Sequence, residues 1–128
     1  MTKVLVIDDE PALRFAVQEA LEAHGLEVIA AESATAALSS LDDVDVVVSD
    51  YMMPDMDGMQ LLEKVRTAQP SLPVILVTAH GSERLAVRAL KQGAYDYLSK
   101  PFDNDELFFT IDRAAETRRL RQAERERS

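Results

Sequence analysis

The chain has 128 residues, of which 47% are hydrophobic, and it carries a formal net charge of −9 with no cysteine. That length suits one domain with a single core, the apolar content excludes a disordered chain, and the missing thiols exclude a disulfide framework or a thiolate metal site. The charge is uneven: residues 113–128 hold six arginines and three glutamates, while the rest of the chain holds eight basic and 20 acidic groups, which argues against direct nucleic-acid contact.

Short apolar runs alternate with helical patterns along the chain. "KVLVID" (3–8) reads as a buried strand. Pro11 suits a first helical turn, and Leu13, Ala16, Val17, Ala20 and Leu21 recur at helical spacing, with His24 near the negative helix end and Gly25 beyond it. "LEVIAA" (26–31) reads as the second strand. Residues 34–41 predict a short helix with Ala37, Leu38 and Leu41 on one face. "VDVVVSD" (44–50) is the third strand, and Asp55, Asp57 and Gly58 predict the turn before a helix at 58–68. "PVILVTA" (73–79) is a fourth strand whose continuous apolar run suggests cover on both faces. "SERLAVRALKQG" (82–93) predicts a helix, and "AYDYLSK" (94–100) a fifth strand ended by Pro101. Period two places Tyr95 and Tyr97 on one face of that strand. Asp103 and Glu106 then signal the start of a last helix. Its apolar pattern thins after 115, so 119–128 reads as a charged helical extension or a connector.

Five strands alternating with five helices imply an α/β domain with a parallel sheet covered on both faces. The apolar runs are too short for a membrane span, the start of the sequence lacks the apolar stretch of a signal peptide, and a cytoplasmic location is expected.

In an open parallel sheet, ligands bind beyond the carboxyl ends of the strands. Strand one ends at Asp8, Asp9 and Glu10, strand three at Asp50, strand four at Thr78 and strand five at Lys100. Clustered carboxylates repel, so they call for a cation, and oxygen ligands without His or Cys suit a hard ion such as Mg²⁺. Lys100 adds a second positive group and Thr78 a hydroxyl donor, which together make a pocket for a phosphoryl group. A carboxylate can itself be the nucleophile and form an aspartyl phosphate. Each residue alone has a plainer explanation as a cap or a turn former; the joint pattern at four strand ends does not. The isolated glycines exclude a phosphate-binding loop or a dinucleotide fingerprint.

"VLVIDDE", "VVVSDYMMPDMDG", "PVILVTAHGS" and "KQGAYDYLSKPFD" resemble, in this order, the receiver domain of bacterial response regulators, over residues 3 to about 118. The resemblance implies a flavodoxin-like, doubly wound sheet of order 2-1-3-4-5. It implies that Asp50 accepts a phosphoryl group from the phosphohistidine of a sensor kinase. Asp9 and Asp50 would bind Mg²⁺ directly, with the Met52 backbone carbonyl as a further ligand and Asp8 acting through water. Lys100 would pair with the phosphoryl oxygens and Thr78 would hydrogen-bond to them. The Lys100–Pro101 bond would be cis. Met52 and His80 occupy the positions that tune hydrolysis of the aspartyl phosphate in receivers. Thr78 and Tyr97 would act as the switch, and the face of residues 82–100 would form a homodimer, with the C-terminal helix adding to it.

The stretch 79–103 resembles receivers of the nitrogen-regulatory class of enhancer-binding activators, in which an ATPase and a DNA-binding domain follow. On this reading residues 1–118 are the receiver and 119–128 lead towards an output module. A phosphohydrolase of the haloacid-dehalogenase type would need a DxD after strand one, where this chain has "DDE". A flavin carrier would need a phosphate loop at the acidic "DDEPAL". A receiver that is never phosphorylated would not need the complete set Asp8, Asp9, Asp50, Thr78 and Lys100.

Overall fold

The computed structural model describes residues 1–79 and 83–127. His80, Gly81 and Ser82 lie outside the described residues, so the expectation for His80 and the first residue of the expected fourth helix fall there. The elements in order are β1 (Lys3–Ile7), α1 (Pro11–Ala23), β2 (Glu27–Ala31), α2 (Ala34–Ala37), β3 (Val46–Asp50), α3 (Gly58–Ala68), β4 (Val74–Thr78), α4 (Glu83–Lys91), β5 (Asp96–Ser99) and α5 (Asn104–Arg127). All strand pairs are parallel, as the alternation of strands and helices predicts, and the order is β2-β1-β3-β4-β5, as the resemblance implied.

The sheet is a mid-layer between two cores. Leu5, Ile7, Val47 and Leu76 face one side with Ala34, Ala37, Leu61, Leu62 and Ala89, so α2, α3 and α4 cover that face. Val4, Val6, Val46, Val48, Ile75, Val77 and Leu98 face the other, against Leu21 of α1 and Leu107, Ile111 and Ala114 of α5. Alternate residues of β1, β3 and β4 feed opposite cores, which is why these strands read as unbroken apolar runs.

Three expectations change. The helix expected over 34–41 keeps its α form only to Ala37 and tightens to a 3-10 segment over Leu38–Asp43. Leu41 is still buried, so the apolar face survives the change of pitch. Tyr95 and Tyr97 do not share a face: Tyr95 packs with the α1/α5 core and Tyr97 with the opposite one. β5 begins at Asp96, and Tyr95 precedes the pleat that period two assumes. Gly58 does not supply a turn. Asp57 caps α3 through a reciprocal pair with Gln60, and the Gly58 hydrogen occupies the place where a Cβ would lie 2.9 Å from Leu76 Cδ2 and 3.0 Å from Tyr51 Cα.

Helix α5 runs unbroken past residue 118 to Arg127. Arg118 Nη1 donates to Asp45 Oδ1 at 2.9 Å, and Asp45 Oδ2 accepts from the Lys3 amide at 2.9 Å, so the helix is tied to the amino-terminal edge of the sheet. Leu120, two residues closer to the helix end, is 60% exposed. Among the described residues no helix is long and apolar enough to cross a membrane.

Candidate functional site

Parallel pairing brings the ends of β1, β3, β4 and β5 to one edge. Ile7 registers with Ser49, Asp50 with Val77, and Thr78 with Ser99, so the residues that follow or end each strand meet there. Ligand oxygens of Asp8, Asp9 and Asp50 all lie within 4.8 Å of one another. Lys100 Nζ stands 3.6 Å from Asp8 Oδ2 and 3.7 Å from Asp50 Oδ2. The Lys100–Pro101 peptide is cis, as the resemblance implied. The Lys100 amide donates to the Thr78 carbonyl at 2.8 Å, which joins the ends of β4 and β5.

The three carboxylates sit in different surroundings. Asp8 is buried, and each of its polar atoms has a neighbour. Its amide donates to Ala31 O, its carbonyl accepts from Arg14 Nη1 at 2.8 Å, Oδ1 accepts from the Glu10 amide at 2.9 Å, and Oδ2 faces Lys100. Asp9 is exposed at the rim. Asp50 is half-buried, and Oδ1 accepts from the Met52 amide at 3.2 Å. Burial raises the Asp50 carboxyl above its ordinary range, while the Lys100 charge and the Met52 amide pull it back and the Asp8 and Asp9 charges add to the rise.

Thr78 is fully buried at the end of β4. Met52 is close to Asp50 through its amide, and the residue as a whole is 57% exposed. Tyr97 lies three residues before Lys100, half-buried against the core under α3 and α4, and is not part of the carboxylate group. A cleft of about 390 Å³ adjoins the site, lined by Asp8, Leu13, Val17, Lys100 and Phe102 among others.

The donor set fits a hard divalent cation: the carboxylates offer only oxygen, converge from two strands, and include one desolvated member. Sequence reasoning missed two supports of this edge. Arg14 reaches back to Asp8, for which the only signal was a cation in a first helical turn. Asp55, taken for a turn residue, accepts from both the amide and the hydroxyl of Thr35, at 2.8 and 2.6 Å, and thereby ties the loop after β3 to the start of α2.

The chain thus has a parallel five-stranded sheet with an acid trio and a lysine at its carboxyl edge, and comparison with known proteins gives its family. A family model for the response regulator receiver domain matches residues 4–112. The chain is 46% identical over 121 residues to the C4-dicarboxylate transport transcriptional regulatory protein DctD of Pseudomonas aeruginosa, covering 93% of this chain and 26% of that protein. A response regulator receiver domain protein from Clostridium thermocellum superposes with a TM-score of 0.89 at 35% identity, covering 94% of this chain and 98% of the other. The solution structure of the beryllofluoride-activated NtrC4 receiver domain dimer gives 0.86 at 35% identity, covering 92% and 99%. The chain therefore belongs to the response regulator receiver family, the regulatory input domain of two-component systems. It spans about a quarter of the length of the curated relatives it matches.

Proposed function

We propose that Asp50 accepts a phosphoryl group from the phosphohistidine of a sensor kinase and that this event controls an output module in the cytoplasm. The supporting observation is the convergence of Asp8, Asp9 and Asp50 within 4.8 Å, with Lys100 3.7 Å from the Asp50 carboxylate. An Asp50 oxygen forms the new P–O bond as the P–N bond to the kinase histidine breaks, and the electron pair leaves with the imidazole nitrogen. Burial makes the Asp50 carboxylate more basic than a solvated one. The Lys100 ammonium neutralises charge on the transferring phosphoryl oxygens, and the Thr78 hydroxyl donates a hydrogen bond to one of them. Asp9, Asp50 and the Met52 carbonyl would hold Mg²⁺, with Asp8 contributing through water. The commitment of Asp8 Oδ1 to the Glu10 amide and of Oδ2 to Lys100 favours that indirect role. When bound, the ion supplies charge neutralisation at the phosphoryl oxygens. Hydrolysis by water returns Asp50, so the domain promotes only its own phosphorylation and dephosphorylation.

Charge and acceptor oxygens added at Asp50 draw Thr78 towards them, and Tyr97 follows inward. The face of residues 82–100, extended by α5, then changes its partner preference and shifts a homodimer equilibrium. Residues 1–118 form the receiver and 119–128 lead towards ATPase and DNA-binding domains that activate transcription. The relation to DctD and the tie of α5 to the body at Arg118 support this division.

The test is the intact mass after incubation with acetyl phosphate and Mg²⁺. A single phosphoryl adduct is expected, absent from Asp50→Asn. An adduct that persists in that variant moves the acceptor elsewhere; no adduct in the unaltered chain sinks the proposal. Sedimentation with and without beryllofluoride reads the dimer step, and an unchanged monomer overturns it.

A further inference from the structure

The junction between β1 and α1 is built against two ordinary preferences. Helix α1 starts with no side-chain cap on Glu10 and no acid in its first turn. Arg14 is its fourth residue, where the positive end of the helix disfavours a cation. The guanidinium does not extend into solvent. It reaches back over the helix start, and Nη1 donates to the Asp8 carbonyl at 2.8 Å.

That carbonyl stands where β1 has ended and the acidic loop begins. The same residue turns its carboxylate back to the Glu10 amide at 2.9 Å, which folds residues 8–10 into a tight loop with Asp9 at its tip. Arg14 thus clamps the base of the loop that presents two of the three converging carboxylates. The geometry points to Arg14 as a positioning residue for the metal-binding half of the site: its bond to the Asp8 carbonyl holds Asp8 and Asp9 against Asp50.

This inference rests on the proposed metal site, and two alternatives give different outcomes. If Arg14 only steadied α1, its loss would lower stability and leave cation affinity unchanged. If it acted through charge, its loss would tighten binding, because a positive group near a cation site repels the ion. A positioning role predicts weaker binding, in the range of about 10- to 100-fold seen when partners that orient metal ligands are removed.

The experiment compares the full chain with Arg14→Met and Arg14→Lys. Mg²⁺ affinity is read by calorimetry, and amide hydrogen exchange is read in EDTA. Arg14→Met is expected to bind Mg²⁺ about tenfold more weakly. Its Glu10 amide should exchange faster in EDTA while the β4 amides keep their protection. Arg14→Lys is expected to recover most of both, since one donor serves one carbonyl. Should the methionine variant not fold, Arg14→Ala carries the same expectation. Unchanged or tighter Mg²⁺ binding in Arg14→Met overturns the positioning role. If the unaltered chain binds no Mg²⁺, the metal reading falls by itself. The exchange arm then decides: a faster Glu10 amide upholds Arg14 as the clamp of the loop, and an unchanged one overturns it.

Discussion

Lys100 Nζ lies 3.7 Å from Asp50 Oδ2, although the two residues are 50 positions apart in sequence and lie at the ends of strands separated by β4. The lysine opposes a larger influence, the burial that raises the Asp50 carboxyl. A carboxyl raised in the folded state favours folding when protonated. That contribution is present below the unfolded value of 3.8 and is lost as pH rises through the folded value. In EDTA at neutral pH, Asp50→Asn is therefore expected to unfold at higher urea than the unaltered chain, with the gap closing below pH 3.8. Lys100→Met should raise the Asp50 carboxyl further, read by NMR titration. An Asp50→Asn midpoint no higher at neutral pH counts against a desolvated Asp50 carboxyl.

Asp55 has the opposite sign. The Thr35 hydroxyl and then the Thr35 amide hold its carboxyl below the ordinary range. A depressed carboxyl contributes stability above the unfolded value of 3.8, and that stability is lost as pH falls through the folded value. Thr35→Val removes the stronger of the two hydrogen bonds. The Asp55 carboxyl is expected to move up towards 3.8 in an NMR titration, with Asp50 unmoved. An Asp55 titration unchanged in Thr35→Val refutes the bridge.

Gly58 offers a prediction whose sign separates packing from propensity. It opens α3, where alanine is intrinsically the better helix former by about 1 kcal/mol in a helix interior. A Cβ there would lie 3.0 Å from the Tyr51 backbone, which cannot swing aside. Gly58→Ala is expected to destabilise by about 1–3 kcal/mol in urea unfolding. A neutral or stabilising result means that the loop after Asp50, which carries Tyr51, yields more easily than its contacts suggest.

The pair of Arg118 and Asp45 joins α5 to the far edge of the sheet. The arginine side chain is 12% exposed and the aspartate 38%, so both charge and stem packing are lost on truncation. Arg118→Ala is expected to cost about 1 kcal/mol and to speed amide exchange in α5 beyond residue 114. Mg²⁺ affinity should stay unchanged, because the pair sits at the opposite end of the strands. Unaltered exchange would show that the apolar anchors Leu107, Ile111 and Ala114 hold the helix alone.

Much of the molecule is legible in the sequence itself. Val46–Val48 and Val74–Val77 are continuous apolar runs because both faces of the sheet are covered, and that local pattern carries strand identity. Parallel order follows from alternation, and parallel order alone sends Asp8, Asp9, Asp50, Thr78 and Lys100 to one edge. The grouping of these residues at one edge was thus readable from residue type and strand position.

Only the tertiary structure decided how that edge is held. Arg14 on the Asp8 carbonyl, Thr35 on Asp55 and Arg118 on Asp45 are contacts between separate elements, and the last two span 20 and 73 residues. Such contacts leave no period in the sequence, because each depends on where two elements happen to cross. The opposite faces of Tyr95 and Tyr97 depend on where β5 starts, and Gly58 on how closely Leu76 approaches it. Periodicity is a property of one element; clamps, close approaches and strand limits are properties of two.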